Sequence, residues 1–435
     1  MCYHALSLAQ HGCSVDMIGY RVSQPHTKLC AHSNVRLVGV WPPPDWLASL
    51  PSKIAIVLKL LWMLLVLSFT LMFRVGLPDF VMVQNPPGVP CLPVCWFAAR
   101  LKRSKLLIDW HNYTCTVLSH SQQLTAHETD RKKKKPTTAA EWCEATFGPK
   151  ADLNLCVTHA MRTDLLHNWH VRAVTLYDRP PSWKFTVMSV EQKHQFMYKL
   201  ASDSMYAPFC NEQEHNAQQK EVTRFSYRDA ATNDARLRAD RPAILVSSTS
   251  WTLDEDFSIL LTALQRYDTN AKSQGSLSSL ERLPSLVAVI TGKGPMKSHY
   301  ADLINKLQLG RVRIITPWLA ADDYPRLLSC ADIGVSLHTS TSGLDLPMKV
   351  VDMFGCGLPV LAKRFACIGE LVKAGENGYT FDTAQELGDL LARLLTGFPS
   401  SQENLQQLRN DLEEQPMVGW EDNWDATVWP LLQHG

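Results

Sequence analysis

The chain has 435 residues, 46% of them hydrophobic, which is enough for two domains of roughly 150–220 residues each. A formal net charge of +1 leaves no global basic field, which argues against a nucleic-acid partner. Twelve cysteines are scattered without a C-x-x-C pair, which argues against zinc and a disulfide framework and favours a reducing, cytosol-facing location.

Residues 1–10 lack a basic start followed by a long apolar run, so no signal peptide is expected. Residues 2–8 read as a helix, His11-Gly12 as a turn and 14–20 as a strand. This is the second half of a β-α-β unit without its first strand. Residues 35–41 form another strand, closed by Pro42, Pro43 and Pro44. Residues 54–73 then run apolar with Lys59 as the sole charge, which meets the length of about 20 residues for crossing a bilayer. Such a helix spans, lies in the membrane face, or is buried in the first domain. Strands on both sides of it are expected in one sheet, which disfavours spanning and favours a membrane-seated helix.

Residues 80–83 are a short strand with the loop 84–88 at its end, and 92–99 a helix. Strand 105–109 delivers Asp109-Trp110-His111-Asn112-Tyr113 into a loop. Polar residues just past a buried parallel strand are where open α/β sheets place chemistry. His111 and Asp109 are therefore candidates for a general base; the plainer alternative is a capping Asp109 and a packed His111. Residues 120–138 are polar and hold Arg131 and Lys132 to Lys135. The run reads as a solvated insert, with contact to anionic lipid as the functional alternative. A helix at 141–147, a strand at 152–157, a helix at 158–168 and a strand at 174–176 follow. Residues 186–241 read as a loose connector with a helix near 189–200.

A second α/β domain opens with strand 243–247 and the hydroxyl-rich turn Ser248, Thr249, Ser250, Trp251, Thr252. Such a turn offers N–H and O–H donors to phosphate. Asp254, Glu255 and Asp256 precede the helix 257–267, where acids also suit the helix dipole. Strand 286–290 ends in Gly292-Lys293-Gly294-Pro295, whose lysine could pair with phosphate. Strand 312–316 is followed by Trp318. The strand 332–337 feeds the most informative stretch, S-T-S-G-L-D-L-P-M-K-V-V-D-M-F-G-C-G-L-P-V at 340–360. It reads as a polar loop with Ser342, Gly343 and Asp345, a helix from Pro347 carrying Lys349 and Asp352 on one face, and a buried strand. Loop, helix N-terminus and strand form an anion-binding corner suited to a diphosphate, with Asp352 placed for ribose hydroxyls. The acids at 254–256 come nearest to a D-x-D metal clamp without forming one, so no metal is expected. The tryptophans at 420, 424 and 429 suggest a C-terminal helix packing back on the first domain.

The pattern P-x-K-x-x-D followed by G-x-G-x-P-V resembles the sugar-nucleotide corner of GT-B glycosyltransferases. T-S-G-L-D-L-P-M-K-V-V-D-M-F-G-C is similar in wording to the dolichol-pathway β-mannosyltransferases, and the resemblance runs over almost the whole chain. It implies an α/β chain of two facing Rossmann-like domains with parallel sheets: 1–185 for the acceptor, a connector 186–241, 242–415 for the donor, and 416–435 returning to the first domain. It implies an inverting transfer of β-1,4-linked mannose from GDP-mannose to dolichyl-diphosphate-linked chitobiose, without a metal cofactor. The implied place is the cytosolic face of the endoplasmic reticulum membrane, with other mannosyltransferases of the pathway as partners. In the resembling enzymes the loop at Trp318 holds the base ring. Retaining GT-B enzymes place two glutamates eight positions apart here; Leu344 stands eight before Asp352, with Asp345 beside it, which suits inversion. The family normally begins with an anchor, a strand and a glycine loop, so the chain is expected to start late. That and the lysine run support the alternative of an inactive membrane-associated scaffold.

Overall fold

The computed structural model describes residues 1–20, 25–125, 138–210, 219–252, 255–273, 282–400 and 403–433. The lysine run and Asp254 lie outside the described residues. The chain divides into two compact units: Met1–Asp178 with Thr341–Leu346 and Trp420–Gly435, and Arg179–Ser340 with Pro347–Gly419.

In the first unit, Val15–Tyr20 and Val35–Val40 form a parallel pair. A separate parallel sheet has the order Phe80–Asn85, Lys105–Trp110, Leu153–Cys156, Val174–Thr175. The strands flanking the apolar helix therefore belong to two sheets, which corrects the expectation of one; both still fall within one unit. Lys105–Trp110 is buried along nearly its whole length because both of its faces are covered. Leu106, Ile108 and Trp110 pack with the helices Cys91–Lys102 and Thr138–Phe147. Leu107 points the other way, as strand alternation requires, against Trp420, Trp424 and Val428. Fully burying a large apolar side chain contributes on the order of 2–3 kcal/mol. The tryptophans of Trp420–Thr427 thus close the second face of this sheet.

The apolar stretch is the helix Ser52–Phe69, finished by a wider turn at Thr70–Arg74. Within Ile54–Arg74 only Ala55, Val66, Thr70 and Leu71 are buried. Ile54, Ile56, Val57, Leu61, Leu65, Phe69 and Phe73 are exposed. A core helix would hide such side chains, so burial in the first unit is set aside.

The second unit holds a six-stranded parallel sheet in the order Val312–Ile315, Leu286–Thr291, Ala243–Ser248, Ile333–Ser336, Val360–Lys363, Gly378–Phe381. This 3-2-1-4-5-6 order reverses direction between Ala243–Ser248 and Ile333–Ser336, and ligands of open α/β sheets bind at the carboxyl ends of strands at such a point. Residues 186–241 lie in this unit and are not a loose connector. They hold the helix Val190–Ala201, closed by a Ser189/Gln192 capping box, and an antiparallel sheet of Gln219–Lys220, Ser226–Asp229 and Ala235–Leu237. Strands of two to four residues are too short to show a period. A single 3-10 turn at Ile368–Glu370 and a turn at 375–377 lead into the edge strand Gly378–Phe381.

Candidate active site

In the first unit the strand Lys105–Trp110 ends at a chain of four ionisable side chains. Asp109 is 2% exposed, and its Oδ2 lies 2.8 Å from His111 Nε2 and 3.2 Å from His4 Nε2. His111 Nδ1 is 3.9 Å from Asp178 Oδ2. Burial opposes ionisation of Asp109, but the charge and hydrogen bond of His111, helped by His4, outweigh it and hold the carboxyl well below its usual range. Burial alone would lower the His111 pKa; Asp109, by charge and hydrogen bond, and then Asp178 reverse this and push it up to about 8. Burial raises the Asp178 pKa. Because Asp109 is ionised, His111 Nε2 donates to it. In neutral His111 the basic atom is then Nδ1.

The loop beside this cluster is built on Glu144, which the sequence reading passed over. Its fully buried carboxylate accepts from Asn85 Nδ2 (2.7 Å), the Thr114 amide (2.6 Å) and the Cys115 amide (3.4 Å). The His111 amide donates to the Asn85 carbonyl at 2.9 Å, so Glu144 also steadies the backbone that carries His111. Asn112 Nδ2 donates to Asp345 Oδ1 at 2.9 Å and to Thr341 Oγ1 at 3.1 Å. Ser342 Oγ lies 3.2 Å from the same Asp345 oxygen, and Thr158 Oγ1 donates to the Leu344 carbonyl at 2.6 Å. Ser342, Gly343 and Asp345 were expected with the donor-binding domain; they cluster instead with the His111 loop. The polar side chains of Asn112 and Thr158 bond that segment within the first unit.

In the second unit, the turn after Ala243–Ser248 is organised by Glu255, 2% exposed. Glu255 accepts from Thr249 Oγ1 and from the Ser250 amide (3.3 Å), and forms an ion pair with Lys349. The Lys349 helix, Met348–Gly355, follows the neighbouring strand Ile333–Ser336, so the pair ties together both sides of the switch point. Tyr324 OH reaches Ser248 Oγ at 3.2 Å. Burial, then the charge of Asp352, raises the Tyr324 pKa.

The turn also touches the loop of Lys293. The Thr249 amide donates to the Thr291 carbonyl at 2.9 Å. At Gly292, with φ +145°, an added Cβ would lie 1.7 Å from the Thr249 carbonyl oxygen; at Gly294 it would lie 1.7 Å from that of Ser250. These glycines allow two loops to meet, rather than a loop and a ligand. Lys293 Nζ sits 4.0 Å from the ring centre of the exposed Trp318. Lys349, Ser248, Thr249, Ser250, Lys293 and Trp318 are thus linked along adjacent carboxyl strand ends. Trp251 is not part of this surface. Its backbone has φ +48° and its ring is fully buried against Phe257 and Tyr300. Its expected donor contact is corrected to a core role.

Residues 4–176 match the profile described as a glycosyl transferase 4-like domain, and residues 270–397 that of glycosyl transferases group 1. The chitobiosyldiphosphodolichol beta-mannosyltransferase of Homo sapiens is 44% identical over 99% of this chain and 89% of its own length. The chain belongs to this mannosyltransferase family. It is a glycosyltransferase of the GT-B class, and the transferase names give no support to an inactive scaffold. UDP-glycosyltransferase TURAN of Arabidopsis thaliana is 39% identical over 99% of this chain and 94% of its own. Among solved structures, sucrose-phosphate synthase from Thermosynechococcus elongatus shares the fold at 13% identity, with a TM-score of 0.63 over 99% of this chain and 91% of that one. Sequence reasoning singled out Asp109, His111, Lys293 and Lys349, and the structure places each in or just beyond the carboxyl end of a parallel strand. The same reasoning missed His4, Glu144 and Asp178 as partners, and it took Glu255 for a helix-end acid.

Proposed function

We propose that the chain transfers mannose from GDP-mannose to dolichyl-diphosphate-linked chitobiose with inversion, the first mannosylation of an N-glycan precursor. The observation that carries the reading is the His111–Asp109 pair, 2.8 Å apart at the end of a buried parallel strand. His111 Nδ1 takes the proton of the acceptor O4 hydroxyl as that oxygen bonds to mannose C1. The C1–O bond to the diphosphate breaks, and GDP leaves with its electron pair. Asp109 holds the imidazole and balances the imidazolium. In the second unit, Lys349 and Lys293 offset the charge that grows on the diphosphate, with donors from Ser248, Thr249 and Ser250. Asp352 binds ribose, and Trp318 and its loop bind the guanine. These lysines do the work a divalent cation does elsewhere, so no metal is required. The exposed helix Ser52–Phe69 lies in the cytosolic face of the endoplasmic reticulum membrane and brings the base to the lipid-linked acceptor.

The test is transfer onto a phytanyl-linked chitobiose diphosphate, with GDP-mannose and UDP-sugars compared and EDTA added in parallel. The reading expects product from GDP-mannose alone, unchanged by EDTA. The name of the Arabidopsis relative favours a second reading, a UDP-sugar donor, and product from UDP-sugars would establish it. Loss of product with EDTA would return the metal to the mechanism.

A further inference from the structure

We propose that Trp424 and His4 are positioning residues for the His111–Asp109 pair, so that the C-terminal helix sets the state of the base. The inference rests on the reading of His111 as base. The helix Trp420–Thr427 belongs to the first unit and is fixed at three places, two on the helix Cys2–Gln10 and one on His11 just past its end. Trp420 Nε1 donates to Ser7 Oγ at 3.0 Å, His11 Nε2 meets Asp425 Oδ1 at 2.8 Å, and Trp424 Nε1 donates to His4 Nδ1 at 3.0 Å. His11 also stacks on Trp429 at 4.1 Å.

The third contact has a chemical consequence. An indole N–H only donates, so His4 Nδ1 must accept and carries no proton. The His4 proton is then on Nε2, which faces Asp109 Oδ2 at 3.2 Å. His4 is 2% exposed and Trp424 fully buried, so water does not compete for these bonds. The Asp109 oxygen thus receives two N–H groups, one from the neutral ring of His4 and one from His111. The first bond fixes the carboxylate rotamer that meets His111. It also takes up part of the carboxylate's charge, so Asp109 holds the His111 proton less tightly than it would alone. The other groups acting on His111 are Asp178 and the α-amino group of Met1. Trp424 hydrogen-bonds to His4, while its helix meets the chain beside Asp178 through Asn423 Nδ2 and the Tyr177 carbonyl at 2.9 Å.

The experiment compares His4→Gln, His4→Asn, Trp424→Phe and His111→Asn in the full chain. Glutamine keeps an amide donor where His4 Nε2 stands; asparagine is too short to present one there. Each variant is followed by melting, donor KM, and the pH profile of kcat/KM. The acid limb should move to higher pH in His4→Asn and remain near wild type in His4→Gln. Trp424→Phe keeps a ring in the core and loses the N–H. It should lower kcat at neutral pH by roughly fivefold, the scale of one net hydrogen bond, with donor KM unchanged. Folded His4→Asn with a wild-type limb would overturn the proposal. Should His4→Asn fail to fold, the pH limb of Trp424→Phe decides in the same sense. His111→Asn separates the two levels: wild-type kcat there removes the base reading itself, whereas an inactive His111→Asn beside wild-type behaviour in the others removes only the role of His4 and Trp424.

Discussion

The ammonium of Lys349 rests on the carboxylate of Glu255, a group 1% exposed in its side chain, whereas that of Lys349 is 18% exposed. The lysine expected to meet a diphosphate is therefore anchored from beneath by an acid that also orders the Thr249–Ser250 turn. Two roles follow for Lys349, and they can be separated.

Lys349→Ala should raise donor KM and lower kcat by about a hundredfold, the scale of losing one preorganised charge-stabilising group. It should also destabilise the second unit by about 3–5 kcal/mol, because Glu255 is left buried without its counter-charge. Adding Glu255→Gln removes that orphaned charge, so the double variant should recover the melting temperature and not kcat. Steady-state kinetics and thermal melting check this. A double variant with restored kcat would take Lys349 out of the chemistry.

As the proposed base, His111 must be neutral to take a proton, and its neighbours push its pKa up to about 8. The kcat/KM of the enzyme should therefore rise with pH and level off above about 8, and His111→Asn should abolish both the activity and the limb. Stability runs the other way. The folded pKa is above the ordinary histidine value of 6.5, so the charged His111–Asp109 pair contributes fully below pH 6.5 and is lost as pH rises through about 8. Melting from pH 6 to 9 should show a fall in wild type that is absent in His111→Asn.

The strand ends were legible because their signals are local. An apolar run followed by a polar loop marks Asp109 and His111, and proline before lysine marks the helix of Lys349. The partners were not legible, because they are remote in sequence: Lys349 and Glu255 are 94 residues apart, and Trp424 and His4 are 420 apart. No period or spacing carries such a pairing. Trp251 was misjudged for a different reason. A tryptophan in a hydroxyl-rich turn looks available to a ligand, but a left-handed backbone at that residue turns its ring into the core. The segment 341–346 shows that position in the sequence does not decide membership of a compact unit, since side-chain bonds from Asn112 and Thr158 claim it for the first.

The exposed apolar helix gives a prediction independent of the chemistry. Leu65 and Phe69 are 64% and 45% exposed, and Phe97 and Leu101 on the neighbouring helix Cys91–Lys102 are exposed as well. Seating each large side chain in lipid is worth about 1.5–3 kcal/mol. Leu65→Asp with Phe69→Asp should release the protein from liposomes in a flotation assay, while transfer to a short, water-soluble acceptor analogue persists. Flotation equal to wild type would mean that this face does not meet lipid.

Asp332 supplies the contrast of a buried charge held away from the carboxyl ends of the strands. It stands just before the strand Ile333–Ser336, at the end of the sheet away from Lys349 and Lys293. Its carboxylate accepts from Arg241 Nη1 and Nη2, each at 2.8 Å, from Arg409 Nη2 at 2.6 Å and from the Ile244 amide at 2.8 Å. Burial disfavours its charge, but Arg241 and then Arg409 prevail and lower its pKa from 3.8 to about 2. The depressed pKa means that this carboxylate stabilises the fold above pH 3.8, and that its contribution is lost as pH falls through about 2. Asp332→Asn leaves two arginines facing a neutral amide and should cost about 3–5 kcal/mol, read as a lower melting temperature at pH 7. The gap between variant and wild type should close as the pH is lowered toward 2. Per folded molecule, kcat and donor KM should stay at wild-type values, because no bond from Asp332 reaches the carboxyl ends of the strands. A kcat lost in proportion to Lys349→Ala, with the fold intact, would mean that the two ends of this sheet are coupled.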